Sequence, residues 1–276
     1  MTSMLSKIRE DVTKGIQSPG KILPSLQSRL LARIDFFQER RYSTRAEKAL
    51  TGLDKQAVRR DRVASLVNVL DLNSGEIERY LTELDSKREF LALMNERHEH
   101  IRTAGIGTGT SDWIDCETVY LVTRALKPSV VVETGIQFGA TSAYILLALD
   151  QNGAGQLHSI DLPWPGLAGV GEPLGIGYLA PEWLRHRWHV ILGDSTEHLP
   201  KLLADLGRID MFNHDSLHTY KFMTWEYRTV WPYLRPGGVL ASHDIRRHNA
   251  FQDFCRRNGP APYTLIYNQG VARKPE

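Results

Sequence analysis

The sequence predicts an α/β protein on a doubly wound, mostly parallel sheet, with an α-helical region ahead of it. Three observations carry the prediction. VVVETGIQFGATSAYILLAL, Val130 to Leu149, joins an apolar strand-like run, a glycine turn and a helix-forming stretch end to end. Short apolar runs then alternate with helical patterns as far as Arg257, the signature of buried parallel strands with right-handed crossovers. Before about Ile101 the chain is charged, helical in periodicity and free of strand-like runs.

In the N-terminal part, Pro24 suits a first helical turn, and Ile22, Leu26, Leu30, Ile34 and Phe37 recur at helical spacing. Thr44 with Glu47 reads as a capping box, Gly52 as a stop and Asp54 as the next cap. Leu66, Leu70, Ile77, Leu81, Leu84, Leu91 and Met94 continue the pattern, giving about four helices. Residues 1–105 are expected to be a helical dimerisation or lid region, and 106–276 a ligand-binding domain. Arg40, Arg41, Arg59, Arg60 and Arg62 are interleaved with acids and lack a stacking platform, so a solvated helix face is expected rather than nucleic-acid binding. GIGTGTSD, Gly105 to Asp112, has no strand before it and no GK[ST] after it; it reads as a hinge, with Ser111 or Asp112 capping a helix through Leu126.

Strands are expected at Val130–Thr134, Gln156–Ile160, Trp188–Leu192, Ile209–Asn213 and Gly238–Ser242. The helices between them run from Ala140 to Leu149, Thr196 to Leu206 and Tyr220 to Leu234, and a further one runs from Asn249, its cap, to Arg257. TLIYNQGVARK at the end reads as a hairpin or strand pair. Leu162 to Arg187 breaks the alternation; rich in glycine and proline and carrying Trp164, Tyr178 and Trp183, it reads as a lid.

Among 276 residues the net charge is +2, which gives no case for a polyanion partner. Cys116 and Cys255 have no metal spacing and read as ordinary half-buried thiols of a reducing compartment. MTSMLSKIRE lacks an apolar signal region and YILLALD is too short to span a bilayer, so a soluble cytoplasmic protein without membrane contact is expected. Apolar helical positions suggest a homo-oligomer.

A ligand of such a sheet sits outside the strand carboxyl ends. The first turn is ExGxxxG, on Glu133, Gly135 and Gly139, and not the GxGxxG of a dinucleotide site. An acid at the strand end repels pyrophosphate and attracts an ammonium or sulfonium. QLHSID and WHVILGD close two further strands on Asp161 and Asp194, the first suited to ribose hydroxyls and the second, with Ser195, to an adenine amino group. In this order, with RIDMFNHDSLHTY and WPYLRPGGVLASHDI, these motifs resemble class I S-adenosylmethionine (SAM) dependent methyltransferases, from about Ser111 onward. The nearest likeness is to bacterial small-molecule and sugar O-methyltransferases with a DSxHxY turn.

The resemblance implies a Rossmann-like seven-stranded sheet whose final strand is antiparallel. It implies SAM as cofactor, held by Glu133, Thr134, Gly135, Gly139, Thr141, Ser142, Asp161, Asp194, Ser195 and Asp215. Asp215 and His218 follow the fourth strand, and His243 and Asp244 the fifth; these four are the candidate catalytic residues for a small-molecule hydroxyl acceptor. In the metal-dependent branch the corresponding positions hold Mg²⁺, which makes Asp215, His243 and Asp244 candidate ligands of a divalent metal. His243 departs from the oxygen ligand expected there and suits softer metals or none. Without a metal, His218 or His243 is the general base. His198 and His214 are expected in ordinary loop contacts, and Arg246, Arg247 and His248 as solvated surface charge. Two alternatives stay open: a nicotinamide-dependent oxidoreductase on the same sheet, and a non-catalytic SAM-binding accessory protein.

Overall fold

The computed structural model describes residues 53–104, 112–163, 174–258 and 261–276. The expectations for Pro24, the Thr44 capping box, Arg40, Arg41, Gly52, the glycine-rich hinge and Trp164 lie outside them. Four helices lead: α1 (Lys55–Leu70), α2 (Ser74–Ser86), α3 (Arg88–Thr103) and α4 (Trp113–Leu126). Asp54 caps α1 by accepting from Gln56 N at 3.0 Å, and Asp112 caps α4 by accepting from Ile114 N at 2.7 Å and Asp115 N at 3.1 Å. A short side-chain oxygen at each position satisfies amides that the helix itself leaves unpaired.

The alternating part follows as β1 (Val130–Thr134), α5 (Ala140–Asn152), β2 (Gln156–Asp161), β3 (Trp188–Leu192), α6 (Ser195–Leu206), β4 (Ile209–His214), α7 (Tyr220–Val230), β5 (Leu234–Ser242), α8 (Ala250–Arg257), β6 (Tyr263–Ile266) and β7 (Gln269–Arg273). The seven strands lie in the order β3-β2-β1-β4-β5-β7-β6. The first five are parallel, and β7 enters antiparallel between β5 and β6. Strand order reverses between β1 and β4, which places the loops after them at the switch point where doubly wound sheets bind ligands.

Consecutive strand residues face opposite sides. Val131, Leu157 and Met211 pack with α1 to α5, while Val132, Ile160 and Phe212 pack with α6, α7 and α8. The leading helices therefore share one core with α5 and the sheet.

Four expectations are corrected. The helix expected to reach Leu234 ends at Val230, because Pro232 cannot continue the helical ladder; β5 then begins at Leu234, with a register shift between Ile209 and Met211. The segment read as an irregular lid is, over 174–187, packed structure: Leu179, Ala180 and Leu184 are buried, a 3-10 helix spans Glu182–Arg187, and Arg97 Nη1 on α3 donates to the carbonyls of Tyr178 (2.7 Å), Leu179 (3.3 Å) and Ala180 (3.1 Å). Cys116 and Cys255 are buried outright.

Arg59 and Arg62 do not lie on a solvated face. Arg62 is 0 % exposed, donates to Ile114 O at 3.1 Å and pairs with Glu117, and Arg59 bridges Glu117 and Asp85. The acids that pair with them sit on α2 and α4, distant in sequence, which local interleaving of charge cannot reveal. Breaking a buried pair of this kind costs about 3–5 kcal/mol, so the network pins α1 to α4. Among the described residues no helix is long and apolar enough to cross a membrane.

Candidate active site

The turn after β1 is organised around Glu133. Its carboxylate is fully buried and accepts from Thr141 Oγ1 (2.9 Å), Ser142 Oγ (2.6 Å), Ser159 Oγ (2.8 Å) and Asn213 Nδ2 (3.2 Å). Burial drives its pKa up to about 7 against the pull of those hydroxyls. Glu133, Thr141 and Ser142 thus tie β1, β2, β4 and α5 to one another.

The two glycines answer to the protein's own backbone. A Cβ on Gly135 (φ 85°) would stand 2.0 Å from Asp215 O, and one on Gly139 (φ 79°) 3.0 Å from Gly177 Cα. The turn after β1 is in this way pressed directly against the turn after β4.

Asp161 closes β2 and folds back on the same turn: Oδ2 accepts from Ile136 N (2.9 Å) and Gln137 N (2.7 Å), and Oδ1 from Leu162 N (2.7 Å). Burial raises its pKa, opposed by these amides. Asp194 caps α6 through Oδ1, accepting from Thr196 N at 2.9 Å and Thr196 Oγ1 at 2.8 Å, while its buried Oδ2 has no hydrogen-bond partner among the described residues.

A residue not anticipated from sequence joins the remaining loops. Glu226 on α7 is fully buried and accepts from Thr134 Oγ1 (2.7 Å), Ser195 Oγ (3.0 Å) and Ser216 Oγ (3.1 Å), with His214 Nδ1 2.6 Å away. It collects the ends of β1, β3 and β4 at one point. The signal was present: Met223, Glu226, Tyr227 and Val230 form the buried stripe of α7, so an acid stands among apolar residues at helical spacing. His214 has the ordinary structural contact expected of it, and His198 packs beneath Gly193.

Asp215, His218, His243 and Asp244 do converge, from the ends of β4 and β5. His243 Nδ1 is 2.9 Å from Asp215 Oδ1 and 3.9 Å from Asp244 Oδ1; His218 lies between the two acids, 3.5 Å from Asp215 Oδ1 and 3.6 Å from Asp244 Oδ2. Burial opposes charge on His243, yet the carboxylates of Asp215, Asp244 and Asp115 hold its pKa well above the ordinary imidazole value. Burial likewise acts to raise Asp215, and the charge of His243 with hydrogen bonds from His218 and His243 outweighs it, leaving Asp215 well below the usual carboxylate range. Asp244 adopts φ 56°, uncommon for a residue with a Cβ, and is engaged by Arg247 Nε at 2.7 Å and by Asn268. Arg247, expected in solvent, is therefore drawn into the site, whereas Arg246 is exposed.

Among the described residues, the three His, Cys, Asp or Glu side chains whose ligand atoms lie within 4.8 Å of one another are Asp215, His218 and His243. The set differs from the one anticipated, because Asp244 is turned toward Arg247 and Asn268 and His218 takes its place. One carboxylate and two imidazoles suit a transition ion better than Mg²⁺.

A family model described as "Methyltransferase domain" matches residues 132–245. No curated protein matches the sequence. Among solved structures, the O-methyltransferase TomG from Streptomyces achromogenes, in complex with SAM, is 15% identical, with 67% of this chain and 90% of that chain covered and a TM-score of 0.51. A methyltransferase from Geobacter sulfurreducens is 17% identical over 72% of this chain and 96% of that one, with a TM-score of 0.50. An SAH-bound methyltransferase from Podospora anserina is 13% identical over 67% and 88%, also at 0.50. At such identities the likeness is one of fold; the methyltransferase-domain model is matched from β1 to the turn after β5.

Proposed function

We propose that the chain is a SAM-dependent O-methyltransferase acting on a hydroxyl of a small molecule or sugar-containing metabolite. The observation that carries this reading is the pair of turns at the switch point: Gly135 touches the backbone of Asp215, so a ligand on the β1 turn lies beside the Asp215–His218–His243–Asp244 cluster. TomG and the Podospora protein, solved with SAM and SAH, support the choice of cofactor.

The residues fit that cofactor. The buried Asp194 Oδ2 is an acceptor awaiting a donor such as an adenine amino group, the first turn of α5 has no side-chain cap and suits a carboxylate, and Asp161 retains lone pairs for ribose hydroxyls. When bound, SAM supplies a methyl group on a sulfonium, an excellent leaving group. The chain's part is to orient the acceptor hydroxyl and take its proton.

His218 is the residue for that proton. His243 has a carboxylate close to each ring nitrogen, Asp215 at 2.9 Å and Asp115 at 3.1 Å, whereas His218 keeps looser contacts of 3.5 and 3.6 Å. Asp215 and Asp244 then stabilise the imidazolium formed on His218. A second reading is favoured by the compact Asp215–His218–His243 set: these three would hold a divalent transition ion, which when bound acidifies the acceptor hydroxyl.

Calorimetric titration of the full chain with SAM, SAH and NAD separates the reading from a nicotinamide enzyme: SAM and SAH bind and NAD does not. SAH release on incubation with hydroxylated acceptors separates an enzyme from an accessory subunit, and its loss with a chelator would favour the metal. Absence of affinity for both SAM and SAH would overturn the reading.

A further inference from the structure

We propose that Asp115, on α4, is a positioning residue that holds the His243 ring and, through it, the Asp215 carboxylate; this rests on the methyl-transfer reading above. Asp115 is 0 % exposed on a helix whose residues from Ile114 to Arg124 are all buried. A carboxylate there is costly unless a partner compensates it. The partner is His243, whose Nε2 lies 3.1 Å from Asp115 Oδ2 while Nδ1 lies 2.9 Å from Asp215 Oδ1. Each ring nitrogen thus stands within 3.1 Å of a carboxylate oxygen, and Nε2 also lies 3.4 Å from Asn268 Nδ2.

Asp115 is itself anchored. Its amide donates to Asp112 Oδ1, the preceding carbonyl of Ile114 accepts from Arg62, and Glu117 two residues on pairs with Arg59 and Arg62. The helical region thereby fixes the first turn of α4 and delivers an acid to a site otherwise built from strand ends. Asp115 lies outside the stretch that matches the methyltransferase family model, 132–245. The arrangement serves either form of the chemistry: with no metal it orients Asp215 toward His218, and with an ion on Asp215, His218 and His243 it is the outer carboxylate on the far nitrogen of a ligating imidazole.

The test uses the full chain with ¹⁵N-labelled histidine, His243 being assigned by His243→Gln, and SAM as the calorimetric probe. In the wild type, long-range ¹H–¹⁵N spectra should show a proton on His243 Nε2 shifted far downfield by the carboxylate. Asp115→Asn should remove that shift while changing the Kd for SAM less than twofold. With an acceptor found by SAH release, the same variant should lower kcat about 10–100-fold at unchanged KM for SAM. A wild-type spectrum lacking the downfield Nε2 proton overturns the proposal whether or not the variant folds, as does Asp115→Asn with an unaltered His243 signal. Wild-type protein that shows the signal but no affinity for SAM supports the Asp115–His243 pair and overturns the cofactor reading instead.

Discussion

The turn after β1 and the cluster after β4 and β5 touch one another yet are built on opposite plans. At the first, every carboxylate oxygen of Glu133 meets neutral donors, and the hydroxyls of Thr134, Thr141, Ser142 and Ser195 are all committed to Glu133 or Glu226. At the second, imidazoles and carboxylates face each other at 2.9 to 3.9 Å, held by charge and not by saturated neutral hydrogen bonds. Saturation gives the first region a single shape and leaves mainly backbone to meet a cofactor. The second keeps protons that can move. Thr134, Thr141, Ser142 and Ser195, chosen from motifs as ligand contacts, thus spend their hydroxyls on bonds within the protein.

His218→Ala tests the chemical side of this contrast and has the largest expected effect. Turnover should fall by about 10²–10⁴, the range for loss of a general base, with SAM affinity intact; parallel loss of affinity would mean His218 belongs to the frame. Gly135→Ala comes next. Its Cβ would meet Asp215 O at 2.0 Å in a left-handed conformation, and a loss of more than about 3 kcal/mol is expected in denaturant unfolding. A well-folded Gly135→Ala protein would disprove the contact between the two turns.

Glu133→Gln addresses the frame through pH. Because the folded pKa is raised from 4.5 to about 7, the folded chain binds a proton more tightly than the unfolded chain. The stability associated with the neutral form is complete below the unfolded value and is lost as pH rises through about 7, a change of about 3 kcal/mol. The Gln variant should lack this component, so melting curves at pH 5 and pH 8 should differ less than in the wild type; an equal pH dependence would show Glu133 to be less enclosed than described. Thr134→Val is the smallest change. Removing one hydroxyl from Glu226 should cost about 1 kcal/mol by chemical denaturation, and a tenfold drop in SAM affinity without that loss would reassign the hydroxyl to the ligand.

Much of the fold was legible. The strand run at Val130, the Asp54 and Asp112 caps and the closing hairpin depend on local chemistry, and each stands where periodicity and turn residues put it. Boundaries moved where a distant partner decided them, as at Leu234, which joins β5 because Ile209 pairs with it. At the site, Asp215, His218, His243 and Asp244 were legible because strand ends converge in any sheet of this topology. Asp115 and Arg62 were not, and of Glu226 only its place in an apolar stripe was. Each is a charged residue inside an apolar helical stripe, and only the packing of that helix reveals the opposite charge or donors that make it tolerable.

By itself the sequence determined the order of strands and helices and which acids close the strands, because those follow from short-range periodicity and turn chemistry. Only the tertiary structure decided which acid meets which histidine, that the 174–187 segment is packed wall, and that Arg59 and Arg62 are buried clamps. The physical reason is that desolvation and Coulomb energy depend on neighbours brought together by folding, tens of residues apart in the chain.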